Sequence, residues 1–443
     1  MVAGSMGTPT SATIWVAVIG AGPAGYYTAE ALTNGDADVR VDIIDRLPTP
    51  YGLIRAGVAP DHQSIKNVSA RYEKTNDRDN VRFVGHLALG RDVSLDELME
   101  LYDAVVLATG APKDRPLGID GEDLPGVIGS GAFVSWYNAH PDFTHLDPDL
   151  NVPSVAVIGN GNVAIDVARV LAKTAKEMET SDLASHAADA IHPAPIRDIH
   201  ILGRRGPLQT SFTPKELGEL NALDNAVALF DPAQLPDAAM LEGTDISGAT
   251  RKNMKIFQAM AENTADMKPV RIHLQFYRRP TAVMGDERVC GLQLEKTKVE
   301  NGACIGTGES EILPAGLVVP CIGYRTTPLE GVPYDERRGH FINQDGYIAE
   351  RLYCVGWAKR GPLGTIGTNK PDGKLVAGKI LDAVKPSGRA GRAGLEALVE
   401  ARGLEIITFR DWKKIEAAEE AAAGGDTPRV KFAEVEDMLH AAH

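Results

Sequence analysis

An α/β architecture built on two strand–turn–helix units is predicted by three observations. The run Ile14 to Gly20 (IWVAVIG) is apolar, rich in β-branched residues and ends in glycine, the pattern of a strand buried on both faces of a parallel sheet. The same pattern restarts at Ser154 with SVAVIGNGNVAID. A third apolar run, YDAVVLATG at 102–110, ends in small residues, and the chain then turns to loop chemistry in APKDRPLGIDGEDLPGV, as expected of a crossing between domains. At 443 residues the chain is too long for one ordinary core and is expected to divide into two or three domains.

Taken in order, a helix is expected from about Pro23 to Leu32 and a strand over Val39 to Asp45 (VRVDIID), which makes the opening a βαβ unit. After the second glycine turn, the helix is expected to run to about Lys176. A polar stretch follows to Arg197, and then the strand IHILGRR. Beyond Pro320, CIGYRTTP and LYCVGWAKRGPLGTIGTN read as strands and turns returning to the first domain. AAEEAAAGGDTP is low in complexity and is expected to be an exposed linker between the last helices. The opening MVAGSMGTPTSAT has neither a basic region nor an apolar core, and no window approaches the roughly 18 apolar residues of a membrane span. The expectation is a lead-in to a cytoplasmic protein with no membrane insertion.

Hydrophobic residues at 44% and charged residues at 24% match soluble globular proteins, which excludes a fibrous or disordered chain. A net charge of −14 argues against nucleic acid as a general partner, because neutralising phosphates requires a basic footprint. Cys290, Cys304, Cys321 and Cys354 form no CxxC pair, so no metal ribbon, bound iron–sulfur cluster or dithiol centre is expected.

Chemistry resides in the two turns. Gly20-Ala21-Gly22-Pro23-Ala24-Gly25 fits G-x-G-x-x-G between a strand and a helix. Gly20 permits the tight turn, Gly22 lets a pyrophosphate approach the backbone, and Gly25 lets helix and strand pack closely. The helix N-terminus attracts the phosphates, and Asp45 is placed to accept from ribose hydroxyls. Gly159-Asn160-Gly161-Asn162-Val163-Ala164 is the second copy, and its next strand ends in Gly203-Arg204-Arg205 rather than in an acid. A carboxylate there would repel a 2′-phosphate, whereas a guanidinium binds it through two charge-assisted hydrogen bonds. The first site therefore suits FAD and the second NADPH, and two such nucleotides on one chain imply hydride transfer between them.

These residues, with LPTPYGLIRAGVAPDH (47–62), GRRGPLQTSFTPKELGEL (203–220) and GWAKRGPLGTIGTN (356–369), resemble the adrenodoxin reductase family of ferredoxin–NADP reductases, the actinobacterial members most of all. The resemblance runs from about residue 14 to the end. It implies a disulfide-reductase superfamily fold: an FAD-binding domain from 13–112 and 322–443, with an NADP-binding domain, 113–321, inserted between. It further implies FAD contacts at Ala24, Asp45, Leu53, Leu89, Trp357 and Gly364-Thr365-Ile366. NADP contacts are implied at Asn160, Gly161, Asn162, Val163, Arg204, Arg205, Glu216 and Gly364. A polar cluster of His62, Asp166 and Glu219 beside the nicotinamide is implied as the catalytic or domain-linking group, and a ferredoxin-type iron–sulfur protein as partner. Arg251, Lys252 and Lys255 on an expected helix are its candidate landing surface, with Met254, Phe257 and Ala261 facing the core. Asp45 stands where glutamate is frequent in the family, Leu363 where threonine is usual, and Lys370-Pro371-Asp372-Gly373 ends in glycine rather than alanine. Trp357 after Gly356 separates the pattern from disulfide reductases, which usually carry aspartate there. A disulfide reductase, a flavin monooxygenase and a non-catalytic FAD/NADP sensor are the competing readings.

Overall fold

The computed structural model describes residues 13–236, 246–425 and 427–443. The expected lead-in, residues 1–12, lies outside them.

Two parallel sheets dominate. The first holds seven strands in the order Tyr347–Ala349, Leu352–Cys354, Ala104–Leu107, Ile14–Ile19, Val39–Ile44, Val81–Gly85 and Ile407–Thr408. Only its outermost strands run antiparallel to their neighbours. The second is wholly parallel, in the order Leu317–Pro320, Ser154–Ile158, Asp198–Leu202, Val270–Gln275 and Ala226–Phe230. A three-stranded antiparallel sheet, Arg278–Met284, Gly291–Glu300 and Ala303–Pro314, packs on part of the second sheet through Val283, Val289, Leu292 and Leu294. No helix among the described residues is long and apolar enough to cross a membrane.

The chain leaves the first sheet after Leu107 and returns to it at Tyr347, so the second sheet is inserted between two parts of the first. The outward and return crossings pair with each other: Lys113–Asp114 runs antiparallel to Tyr324–Arg325. The returning strand Leu352–Cys354 lies beside Ala104–Leu107, so this segment does return to the first sheet, as expected.

The first helix spans Pro23–Leu32, as expected, with its proline at the first turn. The helix expected to reach Lys176 instead spans Asn162–Ala172. Lys173 is extended, and Thr174 opens a new turn by exchanging hydrogen bonds with Glu177. The polar stretch before Arg197 contains a further helix, Ser185–Ile191.

The first half of the expected linker AAEEAAAGGDTP is helix, the last part of Phe409–Ala422. Its composition hid a buried acid, and another lies just before it. Glu419 has no exposed side-chain surface and forms an ion pair with Arg55, while Glu416 pairs with Lys413 and Arg429. This C-terminal element thereby clamps the segment after Gly52. Gly373 also has a local reason. A Cβ there would come within 2.8 Å of the Thr28 backbone nitrogen, so glycine lets the helix Asn369–Ala383 lie close against Pro23–Leu32.

Candidate functional site

Both glycine turns take the shape their sequences require. Gly20 and Gly159 have φ of 116° and 153°, and a Cβ at either would overlap the carbonyl oxygen of Ala108 or Cys321 respectively. Gly25 carries no Cβ because Gly20 O occupies that place. Gly22 and Gly161 differ. Their φ values of −83° and −118° suit any residue, and a Cβ at either would meet nothing within 4 Å. Neither the backbone nor the packing of the chain demands glycine there, and each leaves open space beside the turn.

Asp45 lies beside the first turn, with Oδ2 accepting from Ala21 N at 2.7 Å and Oδ1 from Leu47 N at 3.0 Å. The shorter acid is thus drawn onto the turn itself, and burial raises its pKa. Both ends of the chain meet here, since a Cβ at Gly356 would collide with the Ala24 side chain. Trp357 stacks on Tyr324 at 5.8 Å and 19°. Asp372, buried, accepts from Gly356 N at 2.7 Å and pairs with Lys359 and Arg360, which holds Gly356–Gly361 in place. Gly364 has φ of 86° against Thr368, and Thr365 caps the turn Ile366–Thr368. Leu53 and Leu363 are exposed; Leu89 is half-buried.

At the second turn, Asn162 Oδ1 accepts from Thr213 N at 2.9 Å, and Asn160 O accepts from Ser211 N. Asn160 Oδ1 is buried with no hydrogen-bond partner. Val163 is half-buried against the second core. Arg204 is exposed and Arg205 half-buried. The Arg204 backbone is pinned by residues that sequence reasoning missed: its carbonyl accepts from Thr297 Oγ1 at 2.8 Å and from Cys304 Sγ at 3.0 Å. The three-stranded sheet therefore fixes the backbone from which this side chain extends.

His62, Asp166 and Glu219 do come together, joined by Glu216 and by three residues the sequence did not single out, Asp61, Arg169 and Lys173. His62 is 8% exposed and lies 2.8 Å from Glu219, 3.8 Å from Asp166 and 3.6 Å from Glu216. Arg169, 2% exposed, ion-pairs with Asp61, Asp166 and Glu219, and Lys173 also reaches Asp61. Asp166 and Arg169 were detectable as the only charges on the otherwise apolar helix NVAIDVARVLA.

Four acids thus surround two permanent cations and an imidazole, and burial makes full ionisation costly. Burial drives Asp166 up to about 7 despite Arg169 and His62. Glu216 is also raised by burial, and its Oε2 has no hydrogen-bond partner. Burial alone would lower His62, but the Glu219 hydrogen bond and the Asp166 charge outweigh it, so its pKa is raised. His62 Nε2 lies 2.6 Å from the Arg169 guanidinium, which can only donate. One ring nitrogen cannot serve both neighbours. The raised pKa favours the form in which Nε2–H donates to Glu219. The raised pKa values of Asp166, Glu216 and His62 favour retention of a proton in the cluster, between residue 62 of the first sheet's segment and the helix Asn162–Ala172 of the second.

The helix carrying the candidate landing surface spans Gly248–Met260, with Arg251, Lys252 and Lys255 exposed and Met254 and Phe257 buried. Ala261, just beyond it, packs half-buried on the second core. Neighbouring cations are matched internally: Arg271 by Asp198, Arg278 by Glu311 and Arg279 by Glu295.

Two glycine-rich turns, each at the C-terminal end of a parallel sheet, with one sheet inserted in the other, define a two-nucleotide α/β protein. The family model described as pyridine nucleotide-disulphide oxidoreductase matches residues 15–356, and the chain belongs to that family, in the group of the adrenodoxin and NADPH-ferredoxin reductases. It is 39% identical to NADPH-ferredoxin reductase FprA of Mycobacterium tuberculosis, covering 96% of this chain and 98% of that one. It is 37% identical to the mitochondrial NADPH:adrenodoxin oxidoreductase of Arabidopsis thaliana, covering 100% and 98%. The solved structure of Mycobacterium tuberculosis FprA in complex with NADPH superposes with a TM-score of 0.93 at 38% identity, covering 98% of this chain and 99% of that one.

Proposed function

We propose that the chain is a cytoplasmic FAD-containing reductase that takes electrons from NADPH and passes them to a small iron–sulfur protein of the ferredoxin type. The observation that carries the reading is the matched pair of open glycines, Gly22 and Gly161, on turns followed by opposite charges, Asp45 and Arg204-Arg205. The domain assignment follows: 13–112 with 322–443 for FAD, and 113–321 for NADP.

When bound, the nicotinamide supplies a hydride and the flavin accepts it and releases electrons singly. The protein's part is placement. The Gly20–Gly25 turn and Asp45 hold the FAD pyrophosphate and ribose, with Ala24, Leu53, Leu89, Trp357 and Gly364-Thr365-Ile366 completing the flavin site. Asn160–Val163 hold the second pyrophosphate, and Arg204 and Arg205 select the 2′-phosphate. The Arg169 network fixes His62, Asp166, Glu216 and Glu219 where the two domains meet, and these residues hold a proton there at neutral pH. Arg251, Lys252 and Lys255 form the surface for the acidic iron–sulfur partner.

A visible spectrum followed by anaerobic NADPH titration tests the reading. A flavin spectrum that NADPH bleaches is expected, with FAD released on heating. FMN, or no flavin after reconstitution, overturns it. Rapid NADPH oxidation that requires an organic substrate would favour a monooxygenase, and failure to reduce ferricyanide or cytochrome c beside a ferredoxin would favour a sensor.

A further inference from the structure

On the second sheet, Asp198–Leu202 and Val270–Gln275 are neighbouring parallel strands in the register Asp198 with Arg271 and His200 with His273. Ile199, Ile201, Ile272 and Leu274 enter the main core, so Asp198, His200, Arg271 and His273 share the opposite face. The three-stranded sheet covers that face only over Ala156, Ile158, Leu202 and Val318. The half carrying the histidines stays accessible, and all four polar residues are half-buried.

The two imidazoles stack with centroids 4.5 Å apart at 9°. One ligand atom each from Asp198, His200 and His273 lie within 4.8 Å of one another. Asp198 Oδ1 is 2.7 Å from His273 Nε2, and His200 Nδ1 is buried with no hydrogen-bond partner. Arg271 grips both oxygens of Asp198, at 2.7 and 2.5 Å. Two rigidly placed imidazole nitrogens with a carboxylate oxygen suit a borderline divalent transition metal, and not magnesium or calcium, which need more oxygens.

We propose that Asp198, His200 and His273 form a binding site for a divalent transition-metal ion, zinc or a close chemical relative, on the outer face of the second sheet. The two histidines and Asp198 Oδ1 are its ligands, and water completes the shell. As found, Asp198 Oδ1 is shared by Arg271 Nε and His273 Nε2; the metal would take the place of the Nε bond, leaving Arg271 on Oδ2 as a competitor for the carboxylate. The Arg271 charge also opposes the cation, so the site is one of moderate affinity. The site is separate from the His62 cluster, which carries the other three-ligand grouping, with Asp166 and Glu216, among the described residues.

Zinc alone is the probe, added to the purified flavin-loaded protein and measured by equilibrium dialysis with metal analysis. One ion is expected at this site, with a dissociation constant of about 10 µM or tighter. His200→Ala and His273→Ala should each weaken it at least about tenfold, Asp198→Asn less, while His62→Ala leaves it intact. Arg271→Gln should tighten it several-fold. Cobalt bound in place of zinc should show visible bands without a thiolate charge-transfer band, which excludes the cysteines. Unchanged NADPH-driven ferricyanide reduction in the His200 and His273 variants confirms that they fold. Folded wild-type protein that takes up no zinc at about 100 µM, or zinc uptake indifferent to both histidines, overturns the proposal.

Discussion

In the first unit, Ile14–Ile19 leads through Gly20 into a helix with no charged residue before Glu30; in the second, Ser154–Ile158 leads through Gly159 into a helix that carries Asp166 and Arg169 one turn apart. The next strand ends in Asp45 in the first case and in Arg204-Arg205 in the second. The backbone solution is the same: a glycine at positive φ, then one whose Cα faces open space. Turn geometry thus comes from the glycines, the charge beside each turn comes from the residues after the second strand, and the second helix carries its two charges where it meets Asp61 and His62. Asp166 and Arg169 meet Asp61 and His62 there, whereas Tyr26 lies in an aromatic cluster with Tyr51 and Tyr72.

The sharpest way to break this comparison is to change the two kinds of glycine separately. Gly20→Val and Gly159→Val put a Cβ onto a carbonyl oxygen at positive φ, a cost on the order of 3 kcal/mol or more, and should yield little folded protein in either unit. Gly22→Ala and Gly161→Ala clash with nothing in the chain, so both should fold. The first should lose flavin absorbance per chain, and the second should keep flavin but bind NADPH at least about tenfold more weakly. Full flavin retention in Gly22→Ala would show that the first turn is not the pyrophosphate site.

Next in size is Arg204→Ala, which removes a charge-assisted phosphate contact of about 1.5 to 3 kcal/mol. NADPH affinity should fall about 10- to 100-fold with NADH nearly unchanged. Equal losses for both coenzymes would mean that the arginine does not read the 2′-phosphate.

A smaller effect is expected at the partner surface. Replacing Arg251, Lys252 and Lys255 by glutamate should raise the Michaelis constant for an acidic ferredoxin about tenfold and leave that for NADPH unchanged. Ferredoxin reduction should also slow steeply with salt, whereas ferricyanide reduction should respond weakly. An unchanged ferredoxin constant at low salt would place docking elsewhere.

The smallest effect separates the charged helix from the uncharged one. Asp166 titrates near 7 when folded and near its ordinary 3.8 when unfolded, so the folded chain holds a proton that the unfolded chain has released. The stability this adds is present at low pH and lost as pH rises through about 7. The raised His62 acts in the same direction: its contribution is full below 6.5 and lost above its higher folded value. Asp166→Asn should therefore flatten the fall in Tm between about pH 6 and pH 8, a shift of a few degrees for about 1 kcal/mol. A Tm profile identical to wild type would remove Asp166 as the titrating group.

Much of this was legible because it is local. The strands Ile14–Ile19 and Ser154–Ile158, the helix Pro23–Leu32 and the exposed triplet on Gly248–Met260 all follow from periodicity and glycine spacing within short windows. Composition misled where burial overrode it: AAEEAA read as a linker, yet Glu419 is buried on Arg55, more than 300 residues away.

The sequence by itself determined the two glycine turns and the charge that follows each, since backbone freedom, turn space and the sign of a side chain are properties of a few adjacent residues. The tertiary structure alone decided that Asp61 would hold both Arg169 and Lys173, and that Thr297 and Cys304 would pin the Arg204 backbone. Lys66, Asp182 and Lys431 likewise form one buried ion network drawn from three distant parts of the chain. Those contacts span tens to hundreds of residues, and a buried charge is affordable only where folding brings its partner to it, which no local pattern records.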